Sequence, residues 1–209
     1  EDLPKLIEAT SPDIVVVAGP DHLHAEQAIL ALEAGCHVLV EKPMATTVAD
    51  AERMIEAADR SDRHLMADHT VRYMYPWHEM SVAAQAGDVG DIFFIQGDYI
   101  HDMWSHYSPD GVRHTPWRID RSNPQNILLG GGCHPIDLMI DTIDSPVSEV
   151  FAYASKKRAP DFPADDCYIV ILKFENGTLG KVYVTSGCSG EGMEDGAGGG
   201  FLAVYGTQG

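Results

Sequence analysis

Basic side chains are scarce in this sequence. Lys and Arg together number 14 against 32 Asp and Glu, which gives the 209 residues a formal net charge of -18. An average surface of that sign repels phosphate, so nucleic acid and anionic membranes are excluded as general partners. A local basic patch can still hold one anionic ligand.

Long apolar runs and closely spaced cysteines are also missing. No stretch reaches the roughly 18 apolar residues of a membrane-spanning helix. Cys36, Cys133, Cys167 and Cys188 show no CxxC spacing, which predicts reduced thiols in a cytoplasmic protein rather than a zinc site or redox pair. HExxH and GxSxG are absent, so the ten histidines leave a metal hydrolase open only as an alternative, and we predict no metal.

The first part of the chain alternates apolar strands with amphipathic helices. The apolar run at 14–18 is typical of a parallel strand covered on both faces, and shorter runs follow at 37–40 and 64–67. Short connections between strands and helices predict a doubly wound parallel sheet. Ligands of such sheets bind beyond the carboxyl ends of the strands, near Gly19-Pro20 and Glu41-Lys42.

From about residue 75 the pattern predicts a mainly antiparallel sheet. Strands are indicated at 92–95, 149–155, 168–174 and 179–185, the last two joined by a hairpin at Asn176-Gly177. An insertion over 101–146 separates the first two strands, and insertions of that length are usually functional. The glycine-rich segment Gly187 to Gly200 is predicted to be a mobile loop.

One candidate catalytic group lies in Glu41-Lys42-Pro43. A lysine at the carboxyl end of a buried strand faces the ligand crevice, where a desolvated amine can act as a general acid or base. The alternative interpretation is an ordinary charge pair at a strand end, followed by a turn proline.

A second candidate lies in Cys133-His134-Pro135-Ile136-Asp137. In a helix, His134 and Asp137 share one face, so the carboxylate can orient the imidazole and stabilise its protonated form. Pro135 is tolerated only in the first turn, which places His134 at the start of the helix. The alternative is a polar helix start beside a glycine-rich turn.

Four segments occur in a characteristic order: 18–24, 41–43, Trp117-Arg118 and 133–137. In this order and spacing they resemble the Gfo/Idh/MocA family of nicotinamide-dependent sugar and polyol dehydrogenases. The resemblance implies a partial α/β Rossmann-type domain over 1–74 that binds NAD or NADP. It also implies an α+β domain over 75–209 that has an open-faced, mainly antiparallel sheet and forms homodimers or homotetramers.

The resemblance also implies roles for individual residues. Lys42 would assist proton transfer beside the nicotinamide, and His134 would serve as acid/base or substrate ligand with Asp137 behind it. The insertion from His101 to Arg121 is expected to determine substrate identity. The implied cofactor-binding residues are Ala18, Gly19, Pro20, His24, Glu41 and Lys42, and the substrate candidates are His101, His106, Tyr107 and Arg118.

Two departures from the family pattern matter. The GxGxxG turn, which supplies amide donors for the pyrophosphate, does not occur. We therefore expect a fragment that lacks an N-terminal βαβ unit and some C-terminal residues, and that binds dinucleotide poorly. Gly130 stands where many relatives carry an aspartate, and Pro124-Gln125-Asn126 where they usually have three glycines.

The leading hypothesis is an NAD(P)-dependent oxidoreductase acting on a sugar, inositol or related polyol. A redox-neutral glycoside-cleaving enzyme and a non-catalytic sugar sensor remain alternatives, the latter supported by Gly130. Each enzymatic hypothesis requires Lys42 and His134 to converge on one pocket.

Overall fold

A computed structural model describes residues 2–157, 162–188 and 199–209. The chain divides into two compact units, Glu1–His69 and Thr70–Gly209. Most of the predicted glycine-rich loop falls on 189–198 and lies outside the described residues, but its last two residues, Gly199 and Gly200, belong to a strand and not to a loop. Within the described part, no helix is long and apolar enough to cross a membrane.

The first unit is the predicted parallel sheet, with strand order β1-β2-β3. Its third helix begins at Thr47-Val48-Ala49-Asp50, which has the form of a capping box in the sequence. The Thr47 hydroxyl accepts a hydrogen bond from the Asp50 main-chain N–H at 3.1 Å. The elements in chain order are α1 (Leu3–Thr10), β1 (Ile14–Val17), α2 (His24–Glu33), β2 (His37–Glu41), α3 (Val48–Ser61) and β3 (Leu65–Asp68).

Only one face of this sheet is covered. Val17, Val38 and Val40 are buried beneath the helices and form the core of the unit with the alanines of α2 and α3. On the opposite face, Ile14 and Val16 are 60% and 63% exposed. The prediction that this first strand is covered on both faces is therefore wrong for the described chain, because no described element of the unit packs over that side.

The second unit is built on a five-stranded sheet with order β5-β6-β7-β4-β8. Three of its four pairings are antiparallel and the β4–β7 pairing is parallel, so the expected mainly antiparallel sheet is confirmed. Gly177 adopts a φ of 91° in the hairpin between β6 and β7, a conformation that favours glycine. The elements are α4 (Trp77–Gln85), β4 (Ile92–Ile100), α5 (Trp104–Tyr107), α6 (Ile127–Gly130), α7 (Cys133–Ile143), β5 (Val147–Ser155), β6 (Cys167–Phe174), β7 (Leu179–Thr185) and β8 (Gly199–Gly206).

Helix α7 covers one face of this sheet. Leu138 and Met139 are buried against the strands, and the helix approaches β4 most closely at Gly97. A Cβ atom at position 97 would lie 2.7 Å from Pro135 Cβ and 3.0 Å from Met139 Cε. The missing side chain therefore lets the first turn of α7 rest on the backbone of β4.

The other face of the sheet carries a band of exposed apolar side chains, here called the open face. Alternation along β6 buries Val170 and Leu172 beneath α7 and leaves Ile169 and Ile171 outside. The cross-strand register places further side chains on the same surface. The open face comprises Phe151, Tyr153, Ile169, Ile171, Leu179, Phe94, Tyr205 and Phe201.

The close approach at Gly97 predicts a large cost for one added methyl group. Gly97→Ala should lower the free energy of unfolding by about 1–3 kcal/mol, because the ring of Pro135 is rigid and α7 must shift. Gln96→Ala, on the neighbouring position and opposite face, is the control and should change stability much less. Chemical denaturation of both variants tests this, and equal stabilities would contradict the tight packing.

Candidate functional site

The turn after β2 holds the first cluster of candidate residues. Lys42 directly follows the last residue of β2, as the sequence predicts, and the Lys42–Pro43 peptide bond is cis. The main-chain N–H of Lys42 donates a hydrogen bond to Glu41 Oε2 at 3.0 Å. Glu41 therefore holds the backbone of the turn with its own carboxylate.

His24, the first residue of α2, connects this turn to the loop after β1. The imidazole is 1% exposed. Its Nδ1 lies 2.8 Å from the carbonyl oxygen of Pro43, and its Nε2 lies 3.0 Å from that of Gly19. The structure thus brings Gly19, His24, Glu41, Lys42 and Pro43 together at the carboxyl edge of the sheet.

The loop after β1 borders the same edge of the sheet. A Cβ atom at Gly19 would lie 3.2 Å from Gln27 Oε1, so the side chain of Gln27 already occupies the space beside the loop. Ala18 is exposed and Pro20 is half-buried there. These residues offer main chain at the position where doubly wound folds bind cofactor. The GxGxxG turn that binds the pyrophosphate in such folds does not occur in the sequence.

In the second unit, an aromatic ring separates two candidate histidines. The ring of Tyr99 lies 5.7 Å from that of His101 and 5.8 Å from that of His134, measured between centroids. His134 is the second residue of α7, which confirms its predicted place at the helix start. Gly131 makes the arrangement possible, since a Cβ atom there would collide with the Tyr99 ring.

These residues border a cavity of about 140 Å³. Burial raises the pKa of Tyr99 above its ordinary 10.0, and the neighbouring Cys133 acts in the same direction while Arg118 opposes it. Its hydroxyl therefore stays protonated and available as a donor at neutral pH. The cavity is lined by Val71, Met74, Trp77, Tyr99, His101, His134, Pro135, Leu138, Gly200 and Phe201.

Asp137 has a partner that the sequence did not indicate. Arg72 Nε and Nη2 each donate to one Asp137 oxygen at 2.6 Å, and Nη1 donates to Asp141 Oδ1 at 2.8 Å. These bonds raise the pKa of Arg72 further and attach α7 to the 3-10 turn Thr70–Tyr73. Orientation of His134 by Asp137 stays a prediction.

The insertion places its four substrate candidates differently. Tyr107 is buried in the hydrophobic core and stacks on Phe162 at 4.6 Å, which gives it a packing role. Arg118 lies over the ring of Trp117 at 4.5 Å. Burial lowers the pKa of His106 below its ordinary 6.5, and nearby Arg118, His101 and Arg113 lower it further.

Sequence reasoning missed Tyr99 and Arg72. Tyr99 occupies an ordinary strand position, and only the register of β4 places it beside α7. Arg72 stands 65 residues before its partner Asp137. The one sequence signal for Tyr99 was the run of glycines at 130–132 before His134, since adjacent glycines indicate that another group packs closely against the backbone. Among the described residues, no group of three or more His, Cys, Asp or Glu could hold a metal ion.

Known proteins share both units. Residues 1–69 match the profile of an oxidoreductase family with an NAD-binding Rossmann fold, and residues 77–209 match a GFO/IDH/MocA C-terminal domain. A levoglucosan dehydrogenase from Pseudarthrobacter phenanthrenivorans is 29% identical over 86% of this chain and 51% of its own length. Glycosyl hydrolase family 109 protein 1 from Bacteroides thetaiotaomicron is 25% identical over 83% of this chain and 40% of its own.

Solved structures agree with these matches. The WlbA dehydrogenase of Bordetella pertussis, determined with NADH and UDP-GlcNAcA, is 26% identical with a TM-score of 0.83, covering 99% of this chain and 56% of that one. A Rossmann-type unit followed by a mixed-sheet unit is the architecture that the two family models describe. The chain belongs to the Gfo/Idh/MocA oxidoreductase family, and it spans about half the length of the relatives it matches.

The charge environment of His106 is testable. Its pKa, followed by NMR through the imidazole resonances, should lie below 6.5 and rise in Arg118→Met, because one opposing cation is removed. Arg121→Met, in the same insertion, is the control and should leave it in place. As the pH falls below about 6.5, the imidazole of His106 takes up its proton more readily in the unfolded chain than in the folded one. The free energy of unfolding should therefore decrease over this range. A pKa at or above 6.5 would contradict the arrangement.

Proposed function

We propose that this chain is part of an NAD(P)-dependent oxidoreductase that transfers hydride between nicotinamide and a sugar, inositol or related polyol. The observation that carries the proposal is the Glu41-Lys42-Pro43 turn, held at the carboxyl edge of a Rossmann-type sheet by Glu41 and His24. Family membership and the relatives named above support the reaction class.

The nicotinamide, when bound, supplies the hydride acceptor or donor. Lys42 Nζ would take the proton from the substrate hydroxyl during oxidation and return it during reduction. His134, whose imidazole borders the cavity beside Tyr99, would bind the substrate or share the proton transfer. A positioned base contributes about 10²- to 10⁴-fold to such a step. Convergence of Lys42 and His134 on one pocket is part of this proposal.

The described parallel sheet has three strands, and a complete dinucleotide-binding fold has further strands beside them. A parallel sheet is normally covered on both faces, whereas Ile14 and Val16 are exposed here. A groove of about 570 Å³ runs along β1 and is lined in part by Leu6, Val16 and Ala18. We propose that a further βαβ unit of a longer protein covers this side and brings the phosphate-binding turn. The chain alone should then bind dinucleotide poorly.

The two parts have separate proposed roles. Residues 1–74 would bind NAD or NADP, through Ala18, Gly19, Pro20, Glu41 and Lys42. Residues 75–209 would bind the substrate, with His101, His106 and Arg118 as polar contacts, and would form the oligomer. The cysteines are free thiols, which supports a cytoplasmic location.

A specific observation favours a second candidate. The place where many relatives carry an aspartate is occupied by Gly130, and a Cβ atom there would lie 2.9 Å from Gln125 Nε2. The buried Gln125 therefore fills the space that an aspartate side chain would need. The missing carboxylate supports a sugar sensor without turnover. Redox-neutral glycoside cleavage is the other alternative, and one relative of the chain is named a glycosyl hydrolase.

Lys42→Met in the full-length protein tests the leading proposal. Turnover of polyols and sugars should be abolished because the proton acceptor is lost, while dinucleotide affinity changes only a few-fold. NADH formation and glycoside hydrolysis are measured in parallel. Hydrolysis without net NADH would favour the redox-neutral enzyme, and ligand binding without turnover in the wild type would favour the sensor. Unchanged turnover in Lys42→Met would reject the role of Lys42.

The open face is the proposed oligomer interface. Its apolar side chains lie on neighbouring strands, and Phe151 and Tyr153 are 58% and 71% exposed. Contiguous apolar surface of this kind marks an interaction site rather than a solvated surface. A second copy of the chain is the occupant that the family resemblance implies, as a homodimer or homotetramer.

Ile171→Glu, on the inner strand β6 of the open face, should dissociate the oligomer because it replaces an apolar contact by a carboxylate that loses its hydration at the interface. Val150→Glu is the control, since Val150 is 65% exposed on the opposite side of the edge strand β5. Light scattering after size-exclusion chromatography gives the mass of each. A wild-type monomer, or an Ile171→Glu oligomer of unchanged mass, would contradict this interface.

A further inference from the structure

His24 is a buried titratable group for which the proposed reaction has no direct use. Its ring is 1% exposed, so it presents almost no surface to a bound dinucleotide. Both ring nitrogens instead lie within hydrogen-bonding distance of main-chain oxygens, at 2.8 Å from Pro43 and 3.0 Å from Gly19. Burial of the ring therefore favours support of the two loops over direct contact with cofactor.

The chemistry of the two partners restricts the state of the ring. A main-chain carbonyl oxygen only accepts hydrogen bonds. A neutral imidazole carries one N–H, so it can donate to one of these oxygens and must point a lone pair at the other. Only the doubly protonated ring donates to both Pro43 and Gly19 at the observed distances.

Several contributions favour or disfavour a positive charge on the ring of His24. Burial and the positive end of the α2 dipole disfavour the charge. Two charge-assisted hydrogen bonds favour it. The two segments that the ring joins carry charges of both signs: Asp21 in the preceding 3-10 turn and Glu41 in the turn after β2 are acidic, and Lys42 in that turn is basic.

We propose that His24 is a positioning residue whose doubly protonated ring bridges the main-chain oxygens of Gly19 and Pro43 and so fixes Lys42 beside the nicotinamide. The backbone of Lys42 is then held on both sides. Glu41 accepts the hydrogen bond of its N–H, and His24 holds the carbonyl of the following residue. This inference rests on the proposed function, because it acts through Lys42.

Two conservative variants in the full-length enzyme separate the two bonds. An asparagine amide nitrogen takes the approximate place of histidine Nδ1, and a glutamine amide nitrogen that of Nε2. His24→Asn therefore keeps a donor for Pro43 and loses the bond to Gly19. His24→Gln keeps a donor for Gly19 and loses the bond to Pro43.

His24→Gln should lower kcat by about 10- to 100-fold, because small misplacements of a catalytic group are costly, and should leave the Kd for dinucleotide within a few-fold. His24→Asn should retain kcat within a few-fold and weaken dinucleotide binding instead. His64→Gln, before β3 at the other end of the sheet, controls for a generic histidine substitution and should change neither. Equal losses in both His24 variants, or none in either, would overturn the inference.

A measurement on the unaltered holoenzyme covers the case in which the variants fold poorly. With ¹⁵N-labelled histidine, both ring nitrogens of His24 should resonate as N–H groups at the pH of the assay. A single N–H would overturn the bridge. If Lys42→Met is fully active, the proposed function itself fails. If Lys42→Met is inactive while both His24 variants match the wild type, only the role of His24 fails.

Discussion

The packing of α7 against β4 is the constraint on which the second unit depends. The helix rests on the backbone at Gly97 and buries Leu138 and Met139 against the strands. The same contact fixes the first turn, so that His134 lies beside Tyr99. Arg72 secures the outer side of the helix through Asp137. Because α7 covers one face only, the apolar open face remains available for a partner.

The first unit positions its candidate group by different means. Lys42 lies in a turn whose backbone is held by the carboxylate of Glu41 and by the buried imidazole of His24. Hydrogen bonds to main-chain atoms therefore position Lys42, whereas packing of side chains positions His134. In the first unit the supporting imidazole of His24 is buried, whereas Lys42 is only half-buried, which is the arrangement expected of a preorganised site.

Local patterns predicted the fold well where the signal was short-range. The helix from Val48 to Ser61 was indicated by its Thr47 cap, and the hairpin at Gly177 by its turn residues. The cover over β1 was predicted wrongly, because an apolar run specifies buried faces only when the covering elements are present. Tyr107 looked like a polar contact in sequence, yet its ring packs in the core beside Phe162.

The sequence by itself determined the alternation of strands and helices in the first unit, four of the five strands of the second, the family, and the place of Lys42 and His134 at the ends of their elements. It did not indicate β8. These features depend on residue spacing, which is a property of neighbours along the chain. Only the tertiary structure decided that Arg72 binds Asp137, that Tyr99 separates two histidines, and that His24 joins two loops. Such contacts join distant residues, and their geometry follows from strand register and helix packing, which no local pattern encodes.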